Sequence, residues 1–138
     1  MQQLIKCTAE KLIDSCVTID NFRTISGLSD GSTKEYVNDY FQMQYRCSGN
    51  GFKEFKDTYT CMKQMQDCPG DPTTCTDFIP YLKCIEDMAY KFCGAEGRDY
   101  ICNSMDIVAQ VYLCPLPVCS KNQTEVLPFK KLFKFKHL

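Results

Sequence analysis

The sequence predicts an all-α protein: a disulfide-stapled bundle of about five helices with short loops and a basic C-terminal tail. Three observations carry this. Six of the eleven cysteines (Cys61, Cys68, Cys75, Cys84, Cys93 and Cys102) recur every seven or nine residues between Phe55 and Cys102. A motif of an apolar residue, three residues, Tyr or Leu, one residue and Cys occurs four times. The copies are Phe41-x3-Tyr45-x-Cys47, Phe55-x3-Tyr59-x-Cys61, Phe78-x3-Leu82-x-Cys84 and Val108-x3-Tyr112-x-Cys114. Apolar residues also fall at helical spacing in segments separated by Gly- and Pro-rich stretches.

The motif has a physical meaning. Residues i and i+4 of a helix share a face, so each copy lays a bulky pair on a helix–helix interface. The Cys two residues further on is rotated by about 200°. It leaves the packing stripe and points to the flank, where it can reach a neighbour. The intervals between copies are irregular, which argues for repeated construction rather than duplication.

Leu4 to Phe22 reads as the first helix, with Ile5, Ala9, Leu12, Cys16 and Ile19 on one stripe. Cys7 and Cys16 lie nine apart, on roughly opposite sides of it. Ser26 to Ser32 is a loop by composition. Ser32-Thr-Lys-Glu35 reads as a capping box opening a second helix, which runs to about Cys47 with Val37, Phe41 and Tyr45 in line. Ser48-Gly-Asn-Gly51 reads as its stop.

The third helix covers about Phe52 to Asp67, with Phe52, Phe55, Tyr59 and Met62 on its stripe, and Cys61 and Cys68 sharing a face. Pro69-Gly-Asp-Pro72 breaks the chain. With Asp77 as N-cap, Pro80 falls in the first turn of a fourth helix, where its missing N–H costs nothing. That helix runs to Phe92, with Phe78, Leu82, Ile85, Ala89 and Phe92 in register, and Gly94 as a stop. A fifth helix starts near Asp99, with Ile101, Met105, Val108 and Tyr112 on its stripe. Pro115 and Pro117 end it. Cys114 and Cys119 can bridge each other, and more distant pairing is as plausible.

Residues 1–119 thus form the cysteine-rich helical domain, and 120–138 a basic, Phe/Lys-rich tail. Five lysines against Glu125 give the tail +4, which leaves −5 for the rest of a chain whose net charge is −1. As a helix the tail places Phe129, Leu132, Phe133 and Phe135 on one side and Lys130, Lys131 and Lys134 on the other; Lys136 breaks the apolar side. This is the pattern of a short interfacial cationic segment, whose membrane binding is weak and depends on anionic lipid. Docking of the phenylalanines on the acidic body, or disorder, ranks above membrane action, and Lys130-Lys131 also fits a dibasic processing site.

One hundred and thirty-eight residues suit one domain with a tail, long enough to bury a core. Eleven cysteines are far above ordinary usage and point to an oxidising compartment: secreted, lumenal or cell surface. Zinc ranks behind disulfides, because no C-x2-C pair occurs and the one histidine is His137, in the tail. All eleven are therefore disulfide candidates: Cys7, Cys16, Cys47, Cys114 and Cys119 with the six named above. An odd number implies an intermolecular partner, a free thiol, or a twelfth Cys lost with a missing segment; a disulfide-linked homodimer is one such outcome. Met1 to Lys6 has no apolar leader core, so either a signal was removed and a Met added or the N-terminus is truncated. Asn122-Gln-Thr124 is a glycosylation acceptor, in keeping with secretion.

No catalytic, cofactor-binding or metal-ligating set stands out. His137 has no scaffold, and oxidised cysteines make poor nucleophiles. The carboxylates (Asp14, Glu35, Asp39, Glu54, Asp57, Glu86, Asp87 and Asp106) scatter along polar helix faces and read as solvated. An acidic body disfavours nucleic acid.

The motif copies ending in Cys47, Cys61 and Cys84, with cysteines spaced from Cys7 to Cys119, resemble the small secreted cysteine-rich helical domains expanded in nematodes. Many of those are of unknown function. The resemblance implies secretion and no catalysis. Those domains commonly carry twelve cysteines, against eleven here. A weaker likeness is to the helical con-ikot-ikot toxins of cone snails, whose adjacent Cys-Cys pairs are missing. The reading of the whole is a secreted, non-enzymatic protein that binds an extracellular protein or receptor. The alternative is a secreted toxin or membrane-active effector that uses the tail.

Overall fold

The computed structural model describes residues 17–47, 49–115 and 117. Among these the protein is all-helical, with no strand. The helices are α1 (Ile19–Ser26), α2 (Asp30–Arg46), α3 (Gly49–Met62) and α4 (Cys75–Tyr112). Four elements thus stand among the described residues where about five were expected over the chain. The expected bridges at Cys7, Cys16 and Cys119, the glycosylation acceptor Asn122 and the basic tail lie outside the described residues.

The chain divides into two units. The first includes residues 17–37; the second is Asn38–Asn122, described as far as residue 117.

In the first unit, the helix expected from Leu4 to Phe22 lies outside the described residues as far as Cys16; beyond that it is not continuous, because a helix starts at Ile19 and runs past Phe22 to Ser26. Thr18 is extended, and its hydroxyl accepts from the Asn21 backbone N–H at 3.1 Å, which makes it an N-cap. Gly27, at φ +67°, ends the helix with its N–H on the Arg23 carbonyl. The predicted capping box at Ser32 is also displaced. Ser29 is the cap: its Oγ accepts from Ser32 N at 3.3 Å and its carbonyl from Thr33 N at 2.9 Å. Asp30, Gly31 and Ser32 are therefore helical, and the loop shrinks to Gly27–Ser29. Arg23 ties α1 to the start of α2 through Asp30 at 3.2 Å, and Phe22 meets Tyr36 at 5.8 Å.

The second unit is organised by α4. Its 38 residues would extend about 57 Å as a straight rod. Yet Cys75, its first residue, is bonded to Cys114, just past its end, with Cα atoms 5.0 Å apart. The reversal lies at Gly94, whose backbone (φ 69°, ψ −158°) leaves the helical region. Gly97 lets the two arms close: a Cβ there would lie 2.3 Å from Cys93 Cβ and 3.0 Å from the Ala89 carbonyl oxygen. The expected stop at Gly94 is thus a fold-back inside one helical element, and residues 95–98, read as a gap, are helical.

The predicted stripes of both arms hold. Phe78, Leu82 and Ala89 are buried on the first; Ile101, Met105 and Val108 on the second. Two details are corrected. The N-cap position is Thr74, not Asp77, so Pro80 sits in the second turn. It forfeits a bond to Thr76, which is exposed to solvent.

Helix α3 differs most from expectation. Gly49 to Gly51 start it rather than stop α2. Its last turn tightens through Gln64 N on Cys61 O and Met65 N on Met62 O, both 3.1 Å, so it ends five residues before Asp67. Its buried residues are Gly51 and Thr58, whereas Phe52 and Tyr59 are 53% and 47% exposed. The motif pairs accordingly divide. Phe41/Tyr45 and Phe78/Leu82 are buried, Val108/Tyr112 is buried and half-buried, and Phe55/Tyr59 is half-buried and exposed.

Candidate functional site

The disulfides fix the frame. Cys61 bonds to Cys93, Cys68 to Cys84 and Cys75 to Cys114. Three of the four motif cysteines thus reach a neighbour as their flank position requires. Cys61 and Cys68 do not share a face, because Cys68 lies beyond the end of α3. Cys102 is also disulfide-bonded. Cys47, exposed after α2, is the free thiol among the described residues. In the first arm of α4 the cysteines at 75, 84 and 93 are nine apart, two and a half turns, so successive ones face opposite ways. They are accordingly bridged to different places: the other end of α4, the 63–74 connection and α3.

The α2–α3 corner is held by a polar knot. The Tyr45 hydroxyl donates to Glu54, and Asn103 Nδ2 donates to the same carboxylate oxygen at 3.4 Å. The Tyr45 ring stacks on Tyr100 with centroids 6.0 Å apart. Burial, then the hydrogen bond and charge of Glu54, push the Tyr45 phenol well above the ordinary tyrosine range. The neutral phenol is therefore favoured in the folded state. That contribution is complete below the unfolded pKa of about 10 and is lost as pH rises beyond it. In a spectrophotometric titration at 295 nm, Tyr45 should stay protonated until the protein unfolds in alkali. Tyr45→Phe should leave the reversible part of the curve unchanged.

Beside this knot lies a cleft of about 630 Å³ between α2, α3 and α4, wholly within the second unit. Met43, Phe55, Met62, Ile85, Ile101 and Met105 give it apolar walls. Polar groups come from α2 and the second arm of α4. Asn38 and Gln42 are one turn apart on α2 and share a face. Gln42 Nε2 donates to the Ser104 carbonyl at 2.8 Å, which locks the side chain in place. Among the described residues, four buried side-chain oxygens have no hydrogen-bond partner: Thr33 Oγ1, Asn38 Oδ1, Gln42 Oε1 and Ser104 Oγ. The last three belong to the cleft lining.

At the rim, Asp39 and Arg46 are exposed and neither forms an ion pair among the described residues. The Arg46 guanidinium carbon lies 5.7 Å from the centre of the Phe55 ring.

In comparisons with family models, curated proteins and solved structures, nothing matches this chain. The site therefore has to be read from its own chemistry. Apolar walls with a few polar side chains among them are the usual make-up of a ligand-binding cleft. No group of His, Cys, Asp or Glu among the described residues is arranged to hold a metal ion. No described helix is long and apolar enough to cross a membrane.

The sequence reading of the site named cysteines and tail residues; it did not find the cleft. Asp39 was placed on a solvated face, and it does stand at the rim. Gln42 and Ser104 carry a signal in the sequence. Gln42 and Ser104 are polar residues next to buried positions, Phe41 and Met105, in the middle of amphipathic helices.

Proposed function

We propose that this chain is a secreted, non-enzymatic, disulfide-rich helical binding protein that recognises an extracellular protein partner in the α2–α3–α4 cleft. One observation carries the reading. An apolar-walled cleft of about 630 Å³, with a few polar and charged side chains from α2 and α4 in its lining, is the form that binding sites take. The methionines on the walls supply adaptable apolar contact. The three bridges support an oxidising, extracellular setting, where disulfides persist.

The test is a selection of displayed random peptides on the oxidised protein, followed by affinity measurement on Met43→Arg. Met43 lines the cleft and is 43% exposed, so the new charge blocks the cleft at little cost to folding. The expected result is a shared peptide motif whose affinity falls about tenfold or more on Met43→Arg. Failure to enrich any motif, or binders indifferent to the substitution, would overturn the reading.

A further inference from the structure

We infer that the protein partner carries an acidic segment with apolar side chains, which leaves the cleft and lies along the outer face of α3. The inference deepens the binding reading above and rests on it. A run of four side chains leads out of the cleft. The Arg46 guanidinium carbon lies 5.7 Å from the centre of the Phe55 ring, and both residues line the cleft. Phe55 meets Tyr59 edge-on, with ring centres 5.4 Å apart. The Lys63 ammonium nitrogen sits 4.2 Å from the centre of the Tyr59 ring. Phe52, Lys56 and Tyr59 fall within about 60° of arc on α3. All three are exposed, and so is Lys63, just past the helix end.

Charge complementarity names the occupant. Arg46, Lys56 and Lys63 form no ion pair among the described residues. The two acids of α3 are engaged elsewhere: Asp57 pairs with Lys53 at 2.7 Å, and Glu54 accepts from Tyr45 and Asn103 in the corner knot. The face is thus a line of uncompensated cations on a body whose net charge is −5. Arg46 and Lys63 rest against rings, so they lose less freedom on binding than cations on free stems do. Phe52 and Tyr59 add apolar surface between the cations. A chain that carries both carboxylates and apolar side chains meets both features. A polyanionic sugar would use the cations and leave the Phe52 ring in water. An anionic bilayer is broad where the stripe is narrow, and would bring the carboxylates of the acidic body against lipid phosphate. Phe52 and Tyr59 lie about 10 Å apart along the helix axis, the reach of about three residues of extended chain. Two apolar residues so spaced among Asp and Glu is the motif expected.

The test measures peptides selected from the random library on the oxidised full chain against three variants: Lys56→Glu/Lys63→Glu, Phe52→Ser and Lys83→Glu/Lys91→Glu. The last changes net charge equally, at exposed lysines on the first arm of α4 that form no ion pair among the described residues. The expected motif is rich in Asp and Glu. Its affinity should fall about tenfold or more on the α3 reversal, about fivefold on Phe52→Ser and less than about twofold on the α4 reversal. Circular dichroism and melting establish that each variant is folded. Peptides without an excess of Asp and Glu, indifference to the α3 reversal, or an equal loss on the α4 reversal would overturn the inference. Heparin and vesicles of equal phosphatidylcholine and phosphatidylserine are titrated in parallel. Binding of either that the α3 reversal abolishes, with no acidic peptide selected, assigns the face to polysaccharide or lipid and overturns the protein segment. The two readings fail separately. A Met43-sensitive motif that ignores the α3 reversal sinks the acidic segment and leaves the cleft reading standing. An acidic motif lost on the α3 reversal but unmoved by Met43→Arg sinks the cleft reading, while the α3 site stands.

Discussion

Replacing Cys75 and Cys114 together by alanine is expected to lower the stability of the oxidised protein by about 4 kcal/mol. The magnitude follows from chain entropy: the bridge closes a loop with a sequence separation of 39, and loop closure costs more as the loop lengthens. The structural case is stronger than the entropy alone. This bridge holds the two ends of α4 together at 5.0 Å, and the arms between them carry most of the buried apolar residues of the second unit. The double substitution avoids leaving a reactive thiol. Urea unfolding of both proteins, oxidised and free of reductant, measures the effect. A midpoint within error of the parent's would mean that packing and the Gly94–Gly97 reversal close the fold-back unaided.

Gly51→Ala is expected to cost about 3 kcal/mol, at the upper end for an overpacked core. An added Cβ would lie 2.2 Å from the Tyr45 carbonyl oxygen and 2.6 Å from two atoms of its ring. Neither can retreat easily. The carbonyl is helix backbone, and the ring is buried, stacked on Tyr100 and hydrogen-bonded through its hydroxyl to Glu54. The start of α3 must therefore move away from α2, and the cleft they share changes shape. Gly31→Ala is the control. Gly31 is exposed in the first turn of α2, with nothing within 4 Å of an added Cβ. There the exchange should stabilise by about 0.5–1 kcal/mol through helix propensity. Thermal or urea unfolding of the two variants decides the matter, and equal effects would sink the close-approach argument.

What the sequence disclosed, and what it hid, divides along physical lines. Where burial follows large side chains at helical spacing, as in Val37–Phe41–Tyr45 and Ile101–Met105–Val108, periodicity found the stripe. In α3 it chose the wrong face, because Phe52 and Tyr59 are conspicuous while the buried contact is made by Gly51 and Thr58. Close approach selects small residues, and a hydrophobic pattern does not register them. Caps slipped for a related reason. Ser29 stands three residues before Ser32, and local chemistry alone does not choose between the two serines. Gly94 was legible as a place where a helix cannot continue. That the helix resumes at once, folded back, depends on Gly97 and on a bridge between residues far apart in sequence. The cleft was least legible of all, since its walls come from three helices that only the fold brings together.

The bridges have a further consequence, for what a protease can do to this protein. The Cys68–Cys84 loop lies inside the Cys61–Cys93 loop, and Cys75–Cys114 begins within both and ends beyond them. The loops overlap without a gap from residue 61 to residue 114. Any single peptide bond in that span can be hydrolysed, including those of the exposed 63–74 connection, and both pieces remain covalently one molecule. A nick in this region is thus a local event that separates no fragments until a reductant opens every bridge spanning it.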